Sequence, residues 1–122
     1  MERRLSVAVV AIAVASALFL LWARGRQNLL LEGTLQFSFE ESAFFPDGDC
    51  SAKPFWWQYP NALDSELSTK WQALGKPPAM RVKVRGNLTS IGMHGHLGGY
   101  WREIQPLAII ETNPASRCRW RK

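Results

Sequence analysis

The feature that most constrains this chain is a run of 19 residues, 5–23, in which no side chain is charged and only two serines are polar. As a helix this run extends about 28 Å, close to the hydrocarbon thickness of a bilayer. A cleaved signal peptide is the alternative, because residues 13–17 offer small side chains at cleavage spacing. Cleavage there leaves residues 18–22 as an apolar new terminus. We therefore favour an uncleaved membrane anchor over residues 1–27, with the lipid bilayer as its partner.

The orientation of this anchor is weakly encoded. Two arginines precede the apolar run, and Arg24 and Arg26 follow it, so the positive-inside rule hardly discriminates between the two orientations. A short basic start before a folded domain is typical of a signal anchor. We therefore predict a single-pass protein of the cell (inner) membrane with its domain on the extracytoplasmic side. A disulfide between Cys50 and Cys118 would agree with that oxidising compartment, but two free thiols fit the sequence equally well.

The basic residues lie mainly at the two ends of the chain. The formal net charge is +5, yet residues 28–116 hold seven Lys or Arg against nine Asp or Glu, a balance of −2. A nucleic-acid partner is therefore not expected. The basic C-terminal tail, 113–122, is interpreted as solvated, and attraction to anionic lipid headgroups is the alternative.

Residues 28–112 have the pattern of a small β domain. Apolar and polar side chains alternate over 29–39, as in a strand with one buried face. Gly33 on the apolar side predicts a bend of the kind with which small barrels close. Further strands are predicted at 55–59, 80–88 and 103–111.

One amphipathic helix interrupts the strand pattern, with Asn61 as its predicted N-cap and Gly75 at its end. Its apolar stripe has spacings of four, four and three residues, at Leu63, Leu67, Trp71 and Leu74. The order of elements predicts a mainly β fold with one helix, an OB-like small β-barrel, preceded by a single N-terminal transmembrane helix. One of the five strands of such a barrel is missing from the pattern. Either the first strand is long enough to take the place of two barrel strands, or the barrel is partial.

Four short motifs occur together within residues 31–111. They are the segment 40–46 ending in Phe-Phe-Pro, the pair Trp56-Trp57, the strand end Arg85-Gly86-Asn87-Leu88, and Gly95-His96-Leu97-Gly98 followed by Arg102-Glu103. With them the chain resembles a group of small membrane-anchored or exported bacterial proteins of unknown function with an OB-like domain. In that group a cysteine often follows the proline directly, whereas this chain has Asp47 there and Cys50 later. The resemblance implies the type of domain and no activity.

The most unusual chemistry lies in residues 92–103, which contain four glycines and both histidines of the chain. Antiparallel pairing would bring the carboxylates at the end of the first strand to the start of the last strand. We therefore predict a cluster at the barrel rim, with a ligand-binding or a structural role, formed by Glu40, His96, Arg102 and Glu103. A structural role is favoured for His96, because polar loop residues flanked by glycines usually hold the loop in which they lie.

Two further candidate sites were weighed. Trp57, Tyr100 and Trp101 form a candidate aromatic platform of the kind that OB barrels offer to bases or sugars, with filling of the core as the alternative. His94 and His96 share one face of an extended segment, a spacing that some metal sites use. No Cys, Asp or third His lies near them in sequence, so we predict no metal and no cofactor.

Glu40, Glu103 and His96 are the candidates for an acid–base site, but such a site needs a pocket that shifts their pKa values, and the sequence shows none. No Ser or Cys lies in a recognisable nucleophile setting, so the chain is not expected to be an enzyme. The predicted function is a binding module whose extracytoplasmic domain takes a ligand or another membrane or periplasmic protein. The alternative is a small accessory or assembly subunit of a larger membrane complex. Small residues in the anchor, such as Ala11 and Ala15, favour the close helix packing that this alternative needs.

Overall fold

The protein is described by a computed structural model over residues 2–38 and 41–119. Within these residues the fold is mainly β, with five strands and two α-helices. The elements in chain order are α1 (Glu2–Ala23), β1 (Arg26–Ser38), β2 (Glu41–Pro46), β3 (Phe55–Trp57), α2 (Asp64–Ala73), β4 (Ala79–Leu88), a 3₁₀ turn (His96–Gly98) and β5 (Glu103–Ala115).

The N-terminal helix α1 is apolar along nearly all of its length. Its segment Ser6–Ala23 is long and apolar enough to cross a membrane, and none of that segment is buried inside the protein. Large side chains such as Ile12, Leu18 and Phe19 are more than half exposed. The predicted apolar helix is confirmed; a signal sequence has the same length and composition, so retention of the helix is a proposal.

The five strands form a closed sheet. The order of pairing is β1-β2-β3-β5-β4, and β4 returns to β1, so the sheet closes into a barrel. Every pairing is antiparallel except that of β3 with β5. In the middle of β1, Gly33 pairs with Pro46 on one side and Val82 on the other. A Cβ at Gly33 would lie 2.6 Å from the Phe44 ring, so only glycine allows β1 and β2 to approach this closely there.

The strand that the sequence pattern lacks is β2. Ser42, Ala43, Phe44 and Phe45 are all buried, so no alternation of apolar and polar residues marks this strand. Phe44 packs in the main core, whereas Ala43 and Phe45 belong to a second buried cluster. The first strand therefore does not take the place of two barrel strands, because β1 and β2 are separate strands that pair with each other.

Helix α2 lies between β3 and β4 and begins later than predicted. Its first residue is Asp64 and its N-cap is Leu63, so Asn61 is not the N-cap. Asn61 instead stabilises the turn before the helix. Its side-chain Oδ1 accepts a hydrogen bond from the Leu63 backbone amide at 2.7 Å, and its backbone amide donates to Asp64 Oδ2 at 2.8 Å. Leu67 is buried in the main core, which fastens α2 to the barrel.

The C-terminal tail is part of the domain as far as Cys118. Strand β5 continues to Ala115, and Cys118 is buried and bonded to Cys50 in a disulfide. The side chain of Gln36 holds the tail from the other side: it donates to the Cys118 carbonyl oxygen at 3.2 Å and accepts from the Cys118 amide at 2.8 Å. Among residues 113–119 only Cys118 is buried, whereas Ser116, Arg117 and Arg119 are exposed, so the interpretation of the tail as solvated is wrong only for Cys118.

Candidate functional site

Arg102, one of the predicted rim residues, lies at the junction between α1 and the barrel. It is buried, with 4% of its surface exposed. Its guanidinium donates hydrogen bonds to the backbone carbonyl oxygens of Trp22 and Thr89, the latter at 3.4 Å. The Trp22 carbonyl belongs to the last turn of α1, where carbonyl groups lack partners within the helix. A cation at this end also interacts favourably with the helix dipole.

Two indole rings flank the Arg102 guanidinium. Its central carbon is 5.5 Å from the Trp22 ring centroid and 5.1 Å from that of Trp101, and these rings are 5.9 Å apart. Burial lowers the pKa of Arg102, and the nearby positive charge of Arg26 lowers it further. The side chain still keeps its proton, as arginine does in proteins. Arg102 therefore joins helix to barrel through hydrogen bonds and cation–π contacts.

Two of the other three predicted rim residues, His96 and Glu103, lie in the described part of the chain. Glu103 is half-buried at the start of β5, and its amide donates to Thr89 Oγ1 at 2.8 Å. His96 is half-buried and begins the 3₁₀ turn. Glu40 lies outside the described residues. The clustering of the four side chains stays a prediction.

His94, a candidate metal ligand by its spacing from His96, makes hydrogen-bonding contacts within its own loop. Its Nε2 lies 3.2 Å from Thr89 Oγ1 and 3.0 Å from the Ser90 carbonyl oxygen. Its backbone pairs with that of Tyr100 in an antiparallel bridge. These contacts close the base of the glycine-rich loop, residues 90–99. Over residues 2–38 and 41–119, no group of three or more His, Cys, Asp or Glu side chains is placed to hold a metal ion.

The predicted aromatic platform does not form an exposed surface. Trp57 and Tyr100 are 0% and 2% exposed, which makes that prediction wrong for both. Trp57 packs on Phe44 in the main core with ring centroids 6.3 Å apart, and Tyr100 packs on Trp56 at 5.1 Å. Burial raises the pKa of Tyr100 to about 12, and the negative charge of Glu41 adds to this rise. The alternative interpretation, filling of the core, describes these two side chains.

An open groove of about 1130 Å³ lies at the opposite end of the barrel from α1. Arg26 pairs with Leu88 at the α1 end, whereas Leu35 pairs with Met80 at the groove end. At about 3.3 Å per residue, these two pairs are about 30 Å apart along β1. The apolar and aromatic side chains that line the groove include Leu35, Phe37, Tyr59, Leu67, Trp71 and Met80.

The rim of this groove combines exposed aromatic rings with paired charges. Phe37 and Tyr59 are 40% and 63% exposed, and their ring centroids are 6.5 Å apart. Arg117 forms an ion pair with Glu41 at 2.5 Å and donates to the Phe37 carbonyl oxygen at 3.0 Å. Asp64 and Lys76 complete the charged lining. Such a groove suits an apolar or aromatic group of low net charge.

Sequence reasoning missed this groove because its walls come from distant segments. The alternation in β1 placed Phe37 inside, but this ring is exposed, since β1 extends beyond Leu35, where its pairing with β4 ends. Arg117 reaches the groove only because the tail folds back over β1. The one local sign in the sequence was Tyr59, an aromatic residue directly before Pro60, where the predicted strand ends.

Comparison of the chain with protein-family models, curated proteins and solved structures gave no match. The resemblance to small membrane-anchored or exported bacterial proteins stays a prediction.

Proposed function

We propose that the protein is a single-pass membrane protein whose OB-like barrel binds a ligand or a partner protein on the extracytoplasmic side without catalysing a reaction. The observation that carries this proposal is the groove of about 1130 Å³ at the barrel end opposite α1. A barrel fixed to the membrane at one end presents its other end to the surrounding compartment. A groove of this size is sufficient for a small molecule or a short peptide segment.

The topology of the sheet supports the OB-like assignment. An OB barrel is a five-stranded Greek-key barrel, and here five strands close in the order β1-β2-β3-β5-β4. Helix α2 lies between β3 and β4, the position at which such barrels insert a helix that covers one end. Its buried residue Leu67 contributes to the barrel core.

The disulfide and the exposed apolar helix support the location. Disulfides form and persist in oxidising compartments, and Cys50 is bonded to Cys118. Retention of α1 is favoured because its last turn is bound to the barrel through Arg102. The apolar surface of α1 would lie in water if the helix did not span a membrane.

The carboxylates of the groove support binding rather than catalysis. Glu41 is paired with Arg117 and accepts a hydrogen bond from Ser38 at 2.6 Å. Asp64 accepts from the Asn61 amide at the start of α2. Both groups thus make contacts that hold the fold, whereas a general acid or base must be available to a reacting atom.

Photo-crosslinking in native membranes tests the binding site. A benzoyl-phenylalanine at position 37 places the reactive group on the groove rim, and the same residue at position 107 is the matched control, because Leu107 is similarly exposed. We expect adducts from position 37 and few from position 107. Equal adduct formation at both positions would favour the assembly-subunit alternative, and no adduct at position 37 would contradict the groove as the binding site.

A second experiment tests the topology independently of binding. Membranes of cells that express the full chain are extracted with alkaline carbonate, and the barrel is then exposed to protease from one side at a time. The proposal expects the full-length chain in the pellet and protease access from the extracytoplasmic side. Release of a shorter, soluble chain would show that α1 is removed as a signal sequence.

A further inference from the structure

We propose that the glycine-rich loop, residues 90–99, inserts apolar side chains into the membrane interface beside α1 and forms a second contact of the protein with the bilayer. This inference rests on the proposed membrane span of α1. It goes beyond that proposal because it assigns a lipid-binding role to a segment of the barrel domain. The occupant of this surface is the lipid bilayer in which α1 lies.

The loop lies at the end of the helix. The Ile91 amide donates a hydrogen bond to the Ala23 carbonyl oxygen at 2.9 Å, so the loop starts beside the last residue of α1. Only Arg24 and Gly25 separate α1 from β1. A Cβ at Gly25 would lie 2.8 Å from the Leu88 carbonyl oxygen, so this connection is packed against the barrel. The loop therefore stays at the level at which α1 leaves the bilayer.

The side chains of the loop suit a lipid environment. Met93 and Leu97 are 86% and 91% exposed, and Ile91 is 38% exposed. Met93 lies beside the turn that carries Leu97, because a Cβ at Gly98 would be 3.2 Å from the Met93 Cβ. No Asp, Glu, Lys or Arg occurs in residues 86–101. A cluster of exposed apolar side chains without charges marks an interaction surface rather than a solvated loop.

The backbone holds the loop tip in an uncommon conformation. Leu97 has a φ of 56°, between Gly95 at 70° and Gly98 at 66°. A left-handed conformation is uncommon for a leucine and costs energy in the absence of compensation. The result here is that a large apolar side chain lies almost fully outside the protein. Transfer of that side chain into lipid offers the compensation.

The surroundings match the composition of a membrane interface. The rings of Trp22 and Trp101 lie at the junction, and tryptophan is enriched at headgroup level. Arg24 and Arg26 are exposed at the same end of the barrel. Basic residues at this level attract anionic headgroups. The apolar side chains of the loop, the two indole rings and the two exposed arginines thus fit a lipid surface with anionic headgroups.

Depth-dependent fluorescence quenching on the full chain tests the inference. Leu97→Cys is labelled with an environment-sensitive fluorophore, with the native disulfide kept oxidised, and reconstituted into vesicles of phosphatidylcholine and phosphatidylglycerol. The matched control is the same label at Thr69→Cys, an exposed position on α2 at the groove end. A third label at Val14→Cys, in the middle of α1, reports the membrane span in the same preparation.

We expect the Leu97 label to emit at shorter wavelength than the Thr69 label. Doxyl groups near the headgroups should quench it more strongly than doxyl groups near the bilayer centre, as for a group about 5–10 Å inside the interface. Met93→Cys should give the same result. Met93→Asp should reduce quenching of the Leu97 label. These positions are exposed, so the substitutions leave the core intact.

The labels separate failure of this inference from failure of the proposed topology. A quenched Val14 label with an unquenched Leu97 label would overturn insertion of the loop and leave the span intact. An unquenched Val14 label would overturn the span itself; a Leu97 label that is still quenched would then support a peripheral lipid contact. A Leu97 label shielded from water but insensitive to doxyl lipids would point to a protein cover and overturn the inference.

Discussion

Arg102 is the residue through which the helix and the barrel depend on each other most directly. It donates to the carbonyl oxygens of Trp22 and Thr89 from a buried position. We predict that Arg102→Met lowers the free energy of unfolding by about 1–3 kcal/mol, because both carbonyls lose their donor. For a domain of this size, each kcal/mol corresponds to about 4–8 °C in the thermal midpoint. Thermal unfolding of the full chain in detergent, followed by near-UV circular dichroism, measures this effect.

Arg102→Lys is the control that separates charge from geometry. A lysine keeps the positive charge but lacks the planar fork that reaches two carbonyl oxygens and stacks between indole rings. We therefore expect the lysine variant to recover only part of the lost stability. A lysine variant as stable as the wild type would mean that charge alone matters at the junction, and an unaffected methionine variant would contradict the role of Arg102 there.

Tyr100 gives the protein a defined response to alkaline pH. Burial raises its pKa to about 12, whereas the phenol in the unfolded chain ionises near 10.0. The stabilising effect of the neutral phenol is fully present below pH 10 and is lost as the pH rises through about 12. We predict lower stability above pH 10, measured by denaturant unfolding, and a smaller loss in Tyr100→Phe. A phenolate absorbance change from Tyr100 in the native protein near pH 10 would contradict this prediction.

Residue identity alone could not rank the two histidines. Both lie next to Gly95 in the same loop, and the sequence favoured His96 as the residue that fixes it. The ring of His94 contacts Thr89 and Ser90. These partners precede His94 by only four or five residues, but the contacts form only because the chain turns back there. The backbone of His94 also pairs with that of Tyr100, and periodicity encodes neither contact.

At the scale of elements, alternation predicted β4 well because one of its faces lies towards the core and the other is more exposed. In β1 alternation located the strand but not the burial of every residue, because residues 33–36 are buried on both faces and Phe37 is exposed. The same reasoning failed for β2, since both of its faces are covered. The outer face of β2 lies under the cluster that contains Tyr100 and Cys118. Burial of the outer face requires the tail to fold back, and that is a tertiary effect invisible in a local pattern.

The disulfide fastens the tail to the segment after β2. It joins residues 68 positions apart, Cys50 and Cys118. Closing a loop of this length is worth about 4 kcal/mol in the chain-entropy account. We predict that reduction lowers the free energy of unfolding by about this amount and weakens the hydrogen bonds between Gln36 and the Cys118 backbone. Denaturant unfolding with and without reductant measures the change.

The double variant Cys50→Ser, Cys118→Ser provides the control for that measurement. It should have the lower stability of the reduced protein and should not respond to reductant. A wild-type protein whose stability is the same in both redox states would show that the cross-link contributes nothing. A change in the double variant on addition of reductant would show that the reductant acts on something other than the disulfide.

At the scale of the whole molecule, the apolar helix and the β-rich domain were predictable, whereas the groove and the junction between α1 and the barrel were not. The helix is marked in the sequence by one unbroken apolar run, and most of the strands are marked by alternation over neighbouring residues, so both can be recognised locally. The groove, in contrast, combines the end of β1, the face of α2 and the tail. Which segments meet at one end of a closed sheet depends on the order of strand pairing, which one sequence does not reveal.

Helix α1 and the barrel are joined by hydrogen bonds but do not share a core. The main core draws on barrel and α2 residues such as Phe44, Val84 and Ile104, and none of its members comes from α1. A chain that starts at Arg24 should therefore fold and form the same disulfide. It should nevertheless be less stable than the full chain, because Arg102 and Ile91 lose the carbonyl oxygens of Trp22 and Ala23.

A double-mutant cycle measures this coupling. Four chains are compared in the same detergent: full length and truncated, each with Arg102 or with methionine at that position. In the full chain Arg102→Met removes the bond to the Trp22 carbonyl, whereas in the truncated chain that bond is already absent. We expect the substitution to cost less in the truncated chain, with a coupling of about 0.5–3 kcal/mol, as for residues in direct contact. Equal costs in both backgrounds would mean that α1 and the barrel are energetically independent, and that Arg102 stabilises the barrel only through Thr89 and Trp101.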